Sequence, residues 1–181
     1  MSPICTLRSV IDYYNKRGST VNLCMLDLSK AFDKVNHYYM CIKLMNRNVP
    51  VVLLGVVNNW YDKYVVFVRW NNVLSRYFYL TCGVRQEGVL SPLLFSVYVN
   101  DMIHKLCDKS LGCYIGDVYC GCVMYADDLI PVSAFVNLLQ RVIDTCCEEA
   151  VYVDMKLNAL KSNIIRYGPK CTDLNIDAFM K

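Results

Sequence analysis

An α+β fold is predicted, a mixed or antiparallel sheet with helices on one face, and three observations predict it. Apolar residues recur at helical spacing in some stretches and alternate or run together in others, so strands and helices take turns along the chain. Two pairs of apolar runs are joined by short polar turns, which adds antiparallel strand pairs to that alternation. The composition, 55% hydrophobic and 19% charged over 181 residues, allows one sizeable core and argues against disorder.

The elements follow in order. Ser2 and Pro3 read as an N-cap and first helical residue, and Ile4, Leu7, Val10, Ile11 and Tyr14 recur at helical spacing until Gly18 stops the run. Thr20 to Leu28 is apolar on both faces, as a buried strand is, yet it carries one acid, Asp27, near its end. Helices are expected from about Asn36 to Arg47 and from Pro50 through Tyr61. Tyr64–Trp70 and Arg76–Cys82 alternate like a strand pair around an Asn71-Asn72 turn. The polar segment from Gly83 to Pro92 is a loop running into a helix, with Ser91 as cap and Pro92 at the first position. Gly112, Gly116 and Gly121 punctuate short strands that lead to a hairpin. Ala134–Val151 is the clearest helix, with Phe135, Leu138, Leu139, Val142, Ile143, Cys146 and Ala150 on one stripe, and Asn163–Tyr167 is a closing strand.

Bulk properties narrow the function. The formal charge of +3 and pI of about 8.2 are compatible with a nucleic-acid partner. The eleven cysteines are odd in number and many lie inside apolar runs, as Cys24, Cys122 and Cys146 do. They are expected to be reduced, buried small hydrophobes of a protein of the nucleus and cytoplasm. Cys120 and Cys122 are too close for a zinc knuckle, and His37 and His104 are far apart. Charge interrupts the apolar stretches before they reach a membrane-spanning length.

The chemistry centres on Met124-Tyr125-Ala126-Asp127-Asp128-Leu129, which sets two adjacent carboxylates between apolar runs at a hairpin tip. Two ionised neighbours repel, so a fold that keeps both has reason to hold a cation there; an ordinary Asp-Asp turn is the alternative. With the Asp27 strand beside the hairpin, three carboxylates converge, a set able to hold two Mg²⁺ ions about 3.5 to 4 Å apart for in-line phosphoryl transfer.

Four segments, LDLSKAFDKVNH (26–37), GVRQEGVLSPLLFSVYVNDM (83–102), MYADDL (124–129) and MKLNALKSN (155–163), resemble in order and spacing the motifs of reverse transcriptases of LINE-type (non-LTR) retrotransposons. That resemblance implies a ferredoxin-like palm of right-hand polymerase type. It implies Asp27, Asp127 and Asp128 as ligands of two Mg²⁺ ions, with Mn²⁺ as a substitute, and RNA template, DNA primer and deoxynucleoside triphosphates as partners. No membrane and no obligate protein partner is implied. Phe32 matches the aromatic gate beneath the incoming sugar; a core aromatic at a strand-to-helix corner is the alternative. Gln86, Ser91 and Pro92 match the loop that lines nucleotide and template, with Arg85 either a phosphate contact or a solvated charge. Lys161 matches a lysine near the leaving pyrophosphate, a candidate general acid, or is a surface lysine at a helix end. Tyr125 is expected to pack under the hairpin and touch the primer end, and Asp33 to be a structural cap.

Two residues depart from that pattern. Glu87 stands where the family has glycine, which arrives at Gly88, and Pro131 interrupts the returning strand where a ladder donor is needed. The chain is expected to be a partial reverse transcriptase domain, 1–181, a palm with the end of the fingers, and inactive by itself. Competing readings are a catalytically inert retroelement remnant, a nucleotidyl cyclase, and a ferredoxin-like nucleic-acid-binding module, which the strands disfavour because no aromatic and basic pattern is evident in them.

Overall fold

The structure, a computed structural model, describes residues 3–86 and 88–168, so the expected Ser2 cap and the Glu87 departure lie outside the described residues. In chain order the elements are α1 (Pro3–Asn15), β1 (Val21–Ser29), a 3-10 turn at Phe32–Lys34, α2 (His37–Asn46) and α3 (Val51–Asp62). Four short strands follow, β2 (Val65–Val66), β3 (Arg69–Trp70), β4 (Val73–Leu74) and β5 (Phe78–Tyr79), and then α4 (Ser91–Asp108). The chain continues through β6 (Tyr114–Ile115), β7 (Val118–Tyr119), β8 (Cys122–Tyr125), β9 (Asp128–Ser133), α5 (Val136–Tyr152), β10 (Lys156–Leu157) and β11 (Asn163–Tyr167). Phe32–Tyr98 forms one compact unit and the chain on either side of it forms another.

The flanking unit holds the main sheet, ordered β10–β1–β9–β8, with β11 also paired to β1 and every pairing antiparallel. With β10 and β11 together as the last strand, the order is last, first, third, second, and helices follow the first and third. That is a ferredoxin-like α+β arrangement. Residues directly opposite each other share a face, so the register sorts the side chains. One face carries Asn22, Cys24, Leu26 and Leu28 of β1 with Leu129, Pro131 and Ser133 of β9, and all of them are buried. Cys24 lies near Cys146 of α5, whose buried Leu139, Val142, Ile143 and Cys146 form the expected stripe. Phe135 is the exception: it precedes the first helical turn and is exposed.

The opposite face is divided. Val21, Leu23 and Val132 pack with Val10, Leu7 and Ile11 of α1, so α1 adds cover on the side left open by the expectation of helices on one face. The reason lies in the strand itself: its first half, Val21 to Cys24, is buried at every position and apolar but for Asn22, whose amide donates to the Ser133 and Ala134 carbonyls, so both faces require cover. Beyond that cover, Met25 is exposed and Asp27 half-buried.

Pro131 stays inside β9, which is flanked by β1 and β8. Its pairing with Cys122 of β8 is intact, whereas the β1–β9 ladder lapses at Cys24–Met25 opposite Ile130–Pro131. A nitrogen without a proton directed at the Cys24 carbonyl accounts for both gaps, and the strand resumes at Leu26–Leu129.

In the Phe32–Tyr98 unit, Asn36 caps α2 through its side-chain oxygen, which accepts from the Tyr39 amide at 3.0 Å. β3 and β4 are joined by Asn71 and Asn72 at φ of 44° and 62°, the two-residue turn with both φ values positive that the asparagines favour. The β2–β5 ladder lies farther along the same ribbon and is offset from it by one residue. Ser91 is the first helical residue of α4 rather than its cap: the Leu94 amide donates to the Leu90 carbonyl at 2.9 Å, so the helix starts one residue earlier than Pro92 suggests. Among the described residues, no helix is long and apolar enough to cross a membrane.

Candidate active site

β8 and β9 are joined by Ala126 and Asp127 alone, so the returning strand begins at Asp128. Ala126 takes φ of 53°, the left-handed region usually given to glycine or asparagine, to make that two-residue turn. Across the strands Tyr125 pairs with Asp128 and Asp128 with Asp27, placing the three in one row on the open face. Side chains directly opposite each other in an antiparallel pair stand about 4.5 to 5.5 Å apart at Cβ. The electrostatics register that closeness: the Asp128 carboxyl is pushed above the ordinary carboxylate value by loss of surrounding water, then by the negative charges of Asp127 and Asp27. Tyr125 does not pack under the hairpin; it is 64% exposed, because its face of β8 lies beyond the part that α1 covers.

Asp27 is held from its other side by residues that the sequence reading passed over. The Asn158 amide donates to the Asp27 carbonyl at 2.8 Å, and the Asp27 amide donates to the Ser162 hydroxyl at 3.4 Å. Ser162 in turn donates to the Asn158 carbonyl at 2.8 Å. The clamp forms because β10 ends opposite Leu28 and β11 begins opposite Met25, leaving residues 158–162 to loop past Asp27. Lys161 is in this loop, exposed and between strands rather than at a helix end, and its amide donates to the Asn158 carbonyl at 3.2 Å. MKLNALKSN contains both Asn158 and Ser162, but a serine and an asparagine in a polar turn carry no local sign of a distant partner.

In the other unit, Phe32, Gln86 and the head of α4 are tied into a second cluster. The Phe32 ring lies 4.8 Å from that of Phe95, tilted by 31°, and is half-buried. The Val84 amide donates to the Phe32 carbonyl and the Gly83 amide to the Val35 carbonyl, both at 2.7 Å. A side chain at Gly83 would meet the Asp33 carbonyl oxygen at 3.0 Å, and its φ of 91° also requires glycine. Gln86 Nε2 donates to Asp33 Oδ1 at 3.3 Å, which makes Asp33 an anchor for the loop rather than a helix cap. Ser91 is buried, and its hydroxyl would stand 2.6 Å from a Cβ at Gly88, so a side chain there would force Ser91 to shift. Arg85, Gln86 and Pro92 face solvent.

The donor set suits a hard divalent cation: three carboxylates, oxygen only, with Asp128 destabilised as an anion by loss of water and then by Asp127 and Asp27. Among the described residues, no three His, Cys, Asp or Glu groups are placed to share one ion.

The family described as reverse transcriptase (RNA-dependent DNA polymerase) matches residues 2–174. The chain belongs to that family. This reverse transcriptase chain is similar to the Retrovirus-related Pol polyprotein from type-2 retrotransposable element R2DM of Drosophila melanogaster, 26% identical over 94% of this chain and 16% of that protein. It is also similar to the RNA-directed DNA polymerase from mobile element jockey of Drosophila funebris, 27% identical over 82% of this chain and 17% of that protein. The Transposon TX1 149 kDa protein of Xenopus laevis is 26% identical over 96% of this chain and 13% of its own length. The chain therefore spans between about an eighth and a sixth of the length of these relatives. Among solved structures, telomerase from Candida tropicalis, in complex with a TWJ fragment of telomeric RNA, superposes with a TM-score of 0.66 at 15% identity, covering 90% of this chain and 28% of that one. At that identity the likeness is one of fold, and it agrees with the reverse transcriptase architecture the sheet order describes.

Proposed function

We propose that this reverse transcriptase chain forms the catalytic palm of an enzyme that copies an RNA template into DNA, extending a DNA primer with deoxynucleoside triphosphates in the nucleus and cytoplasm. The observation that carries the proposal is the register setting Asp27 directly opposite Asp128, with Asp127 adjoining at the turn and Tyr125 on the far side. Asp27, Asp127 and Asp128 would hold two Mg²⁺ ions, or Mn²⁺, which when bound supply positive charge against the triphosphate and a lowered pKa for the primer hydroxyl. The carboxylates' own part is to fix those charges at one place, and the Asn158–Ser162 clamp keeps Asp27 from withdrawing. Lys161, on the same loop, would protonate the leaving pyrophosphate. Tyr125 would meet the primer end. In the Phe32–Tyr98 unit, Phe32 would exclude the ribose 2′-hydroxyl by bulk, while Arg85, Gln86, Ser91 and Pro92 would contact nucleotide and template.

Mn²⁺ titration followed by water-proton relaxation tests the metal assignment. Asp27→Asn and Asp128→Asn should each weaken Mn²⁺ binding at least about tenfold, since each removes one anionic ligand from a site of three. Unchanged affinity in both variants, or RNA-templated primer extension that survives the double substitution, would overturn the proposal.

A further inference from the structure

The ribbon of β2 to β5 holds a surface that the carboxylate site does not use. Its strands alternate like a half-buried sheet, yet every residue from Phe67 to Tyr79 is exposed. Five of them are aromatic: Phe67 is 58% exposed, Trp70 76%, Tyr77 67% and Tyr79 62%, and Phe78 is exposed as well. Tyr77 and Tyr79, two positions apart on one strand face, set their rings edge to face with centroids 6.1 Å apart. Contiguous exposed rings of this kind mark a binding surface.

Charge says what kind of partner. From Lys63 to Gln86 the sequence holds Lys63, Arg69, Arg76 and Arg85 and no aspartate or glutamate, although the whole chain is nearly balanced at 19 basic and 16 acidic residues. Arg69 and Arg76 interleave with the rings on the ribbon itself. The exposed residues of α3, by contrast, include a run of aliphatics, Val51, Val52, Leu53 and Val56, with no charge among them. An aliphatic surface suits another protein. Aromatic faces alternating with guanidinium groups, with no carboxylate to repel phosphate, suit bases and a polyanionic backbone.

We infer that the ribbon, residues 64–80, is a binding site for single-stranded nucleic acid, in which exposed rings stack on unpaired bases and Arg69 and Arg76 meet phosphates. Single strands are specified because a duplex keeps its base faces stacked on one another and presents none to a side chain. The aromatic and basic pattern was not evident in the sequence because alternation there reads as core. The inference needs nucleic acid but no catalysis, so it stands or falls apart from the metal site.

The test is done in EDTA at low salt, where the carboxylates have no cation to hold. The chain has two tryptophans, so Trp60→Phe leaves Trp70 as the only one. Oligo-dT and oligo-U of about twelve nucleotides, within the range that such sites span, should quench Trp70 emission. The two oligomers distinguish DNA from RNA, and a DNA hairpin duplex of the same charge should quench far less. By anisotropy of labelled oligomers, Trp70→Ala combined with Tyr79→Ala should weaken binding about tenfold or more. Arg76→Gln should lower the salt slope of binding by roughly 0.7. All four positions are exposed, so these variants keep the fold. Absence of quenching, affinity unchanged in the double variant, or equal binding of the duplex would each overturn the inference. So would oligomer binding that is absent while the double variant abolishes self-association in sedimentation, since the ribbon would then be a protein interface.

Discussion

Asp128 concentrates the conflict at the residue scale. Its carboxyl titrates above the ordinary value because water is partly excluded and because Asp127 and Asp27 are near. A carboxyl with a raised folded-state pKa binds its proton more tightly in the folded protein than in the unfolded one. The folded state is therefore relatively favoured below the ordinary carboxylate pKa, and that advantage is lost as pH rises through the raised value. At neutral pH the Asp128 carboxylate should thus cost stability, and Asp128→Asn should raise thermal stability. Because Asp128 is exposed and screened by solvent, the gain is at most about 1 kcal/mol. It should vanish when the melts are repeated below the carboxylate range, and a difference that persists in acid would mean that the substitution acts through packing. Mg²⁺ should change the comparison at neutral pH: at ten times its Kd it would stabilise the native chain by about 1.4 kcal/mol. The asparagine variant should gain much less.

Two predictions belong to the elements. Pro131 deprives the β1–β9 ladder of one donor in a strand flanked on both sides, and Pro131→Val should restore an N–H to the Cys24 carbonyl while keeping an apolar side chain in the core. A net hydrogen bond contributes about 1 kcal/mol, less a few tenths for the greater freedom of the unfolded chain. Denaturant melts should show that modest gain, and new protection of the residue 131 amide from hydrogen exchange should accompany it; an unprotected amide would mean that the ladder lapses for another reason. The 158–162 loop gives the second prediction. Ser162→Ala removes the hydroxyl that links Asp27 to Asn158, so it should cost about 1 kcal/mol and weaken Mn²⁺ binding, with Ser162→Thr recovering both. Asn158→Ala should be nearly silent by the same measures, since Asn158 serves Asp27 through its backbone. Equal effects of the two alanine substitutions would show that side-chain packing, not the clamp, holds the loop.

At the scale of the whole molecule, the cysteines report how the core is closed. All ten described cysteines are free thiols, and Cys24, Cys113, Cys120, Cys122 and Cys146 are buried whereas Cys5 and Cys82 are exposed. Burial pushes the Cys24 thiol up to about 12 and that of Cys113 up to about 11, so neither supplies thiolate near neutrality. Alkylation at pH 8, read by peptide mass spectrometry, should modify Cys5 and Cys82 promptly and leave Cys24 and Cys113 until denaturant unfolds the chain. Early labelling of Cys24 would contradict the closed layer between β1 and α5. The same two thiols bear on the fold as read from sequence: reduced, small and apolar was the expectation, and both occupy positions where a larger side chain would have to displace a neighbour.

The sequence by itself determined what depends on near neighbours. Periodicity fixed α1, α2 and α5 to within a residue or two, the paired asparagines fixed the turn between β3 and β4, and four ordered motifs pointed to the family that residues 2–174 match. It also singled out Asp27, Asp127 and Asp128. Only the tertiary structure decided that Asp27 lies opposite Asp128, that Asn158 and Ser162 hold Asp27 by its backbone, and that Tyr125 and the ribbon aromatics are left in the open. The reason is physical. An alternating strand states which side chains share a face, but the cover on that face, and the strand beside it, come from residues about a hundred positions away, and no local pattern carries that information.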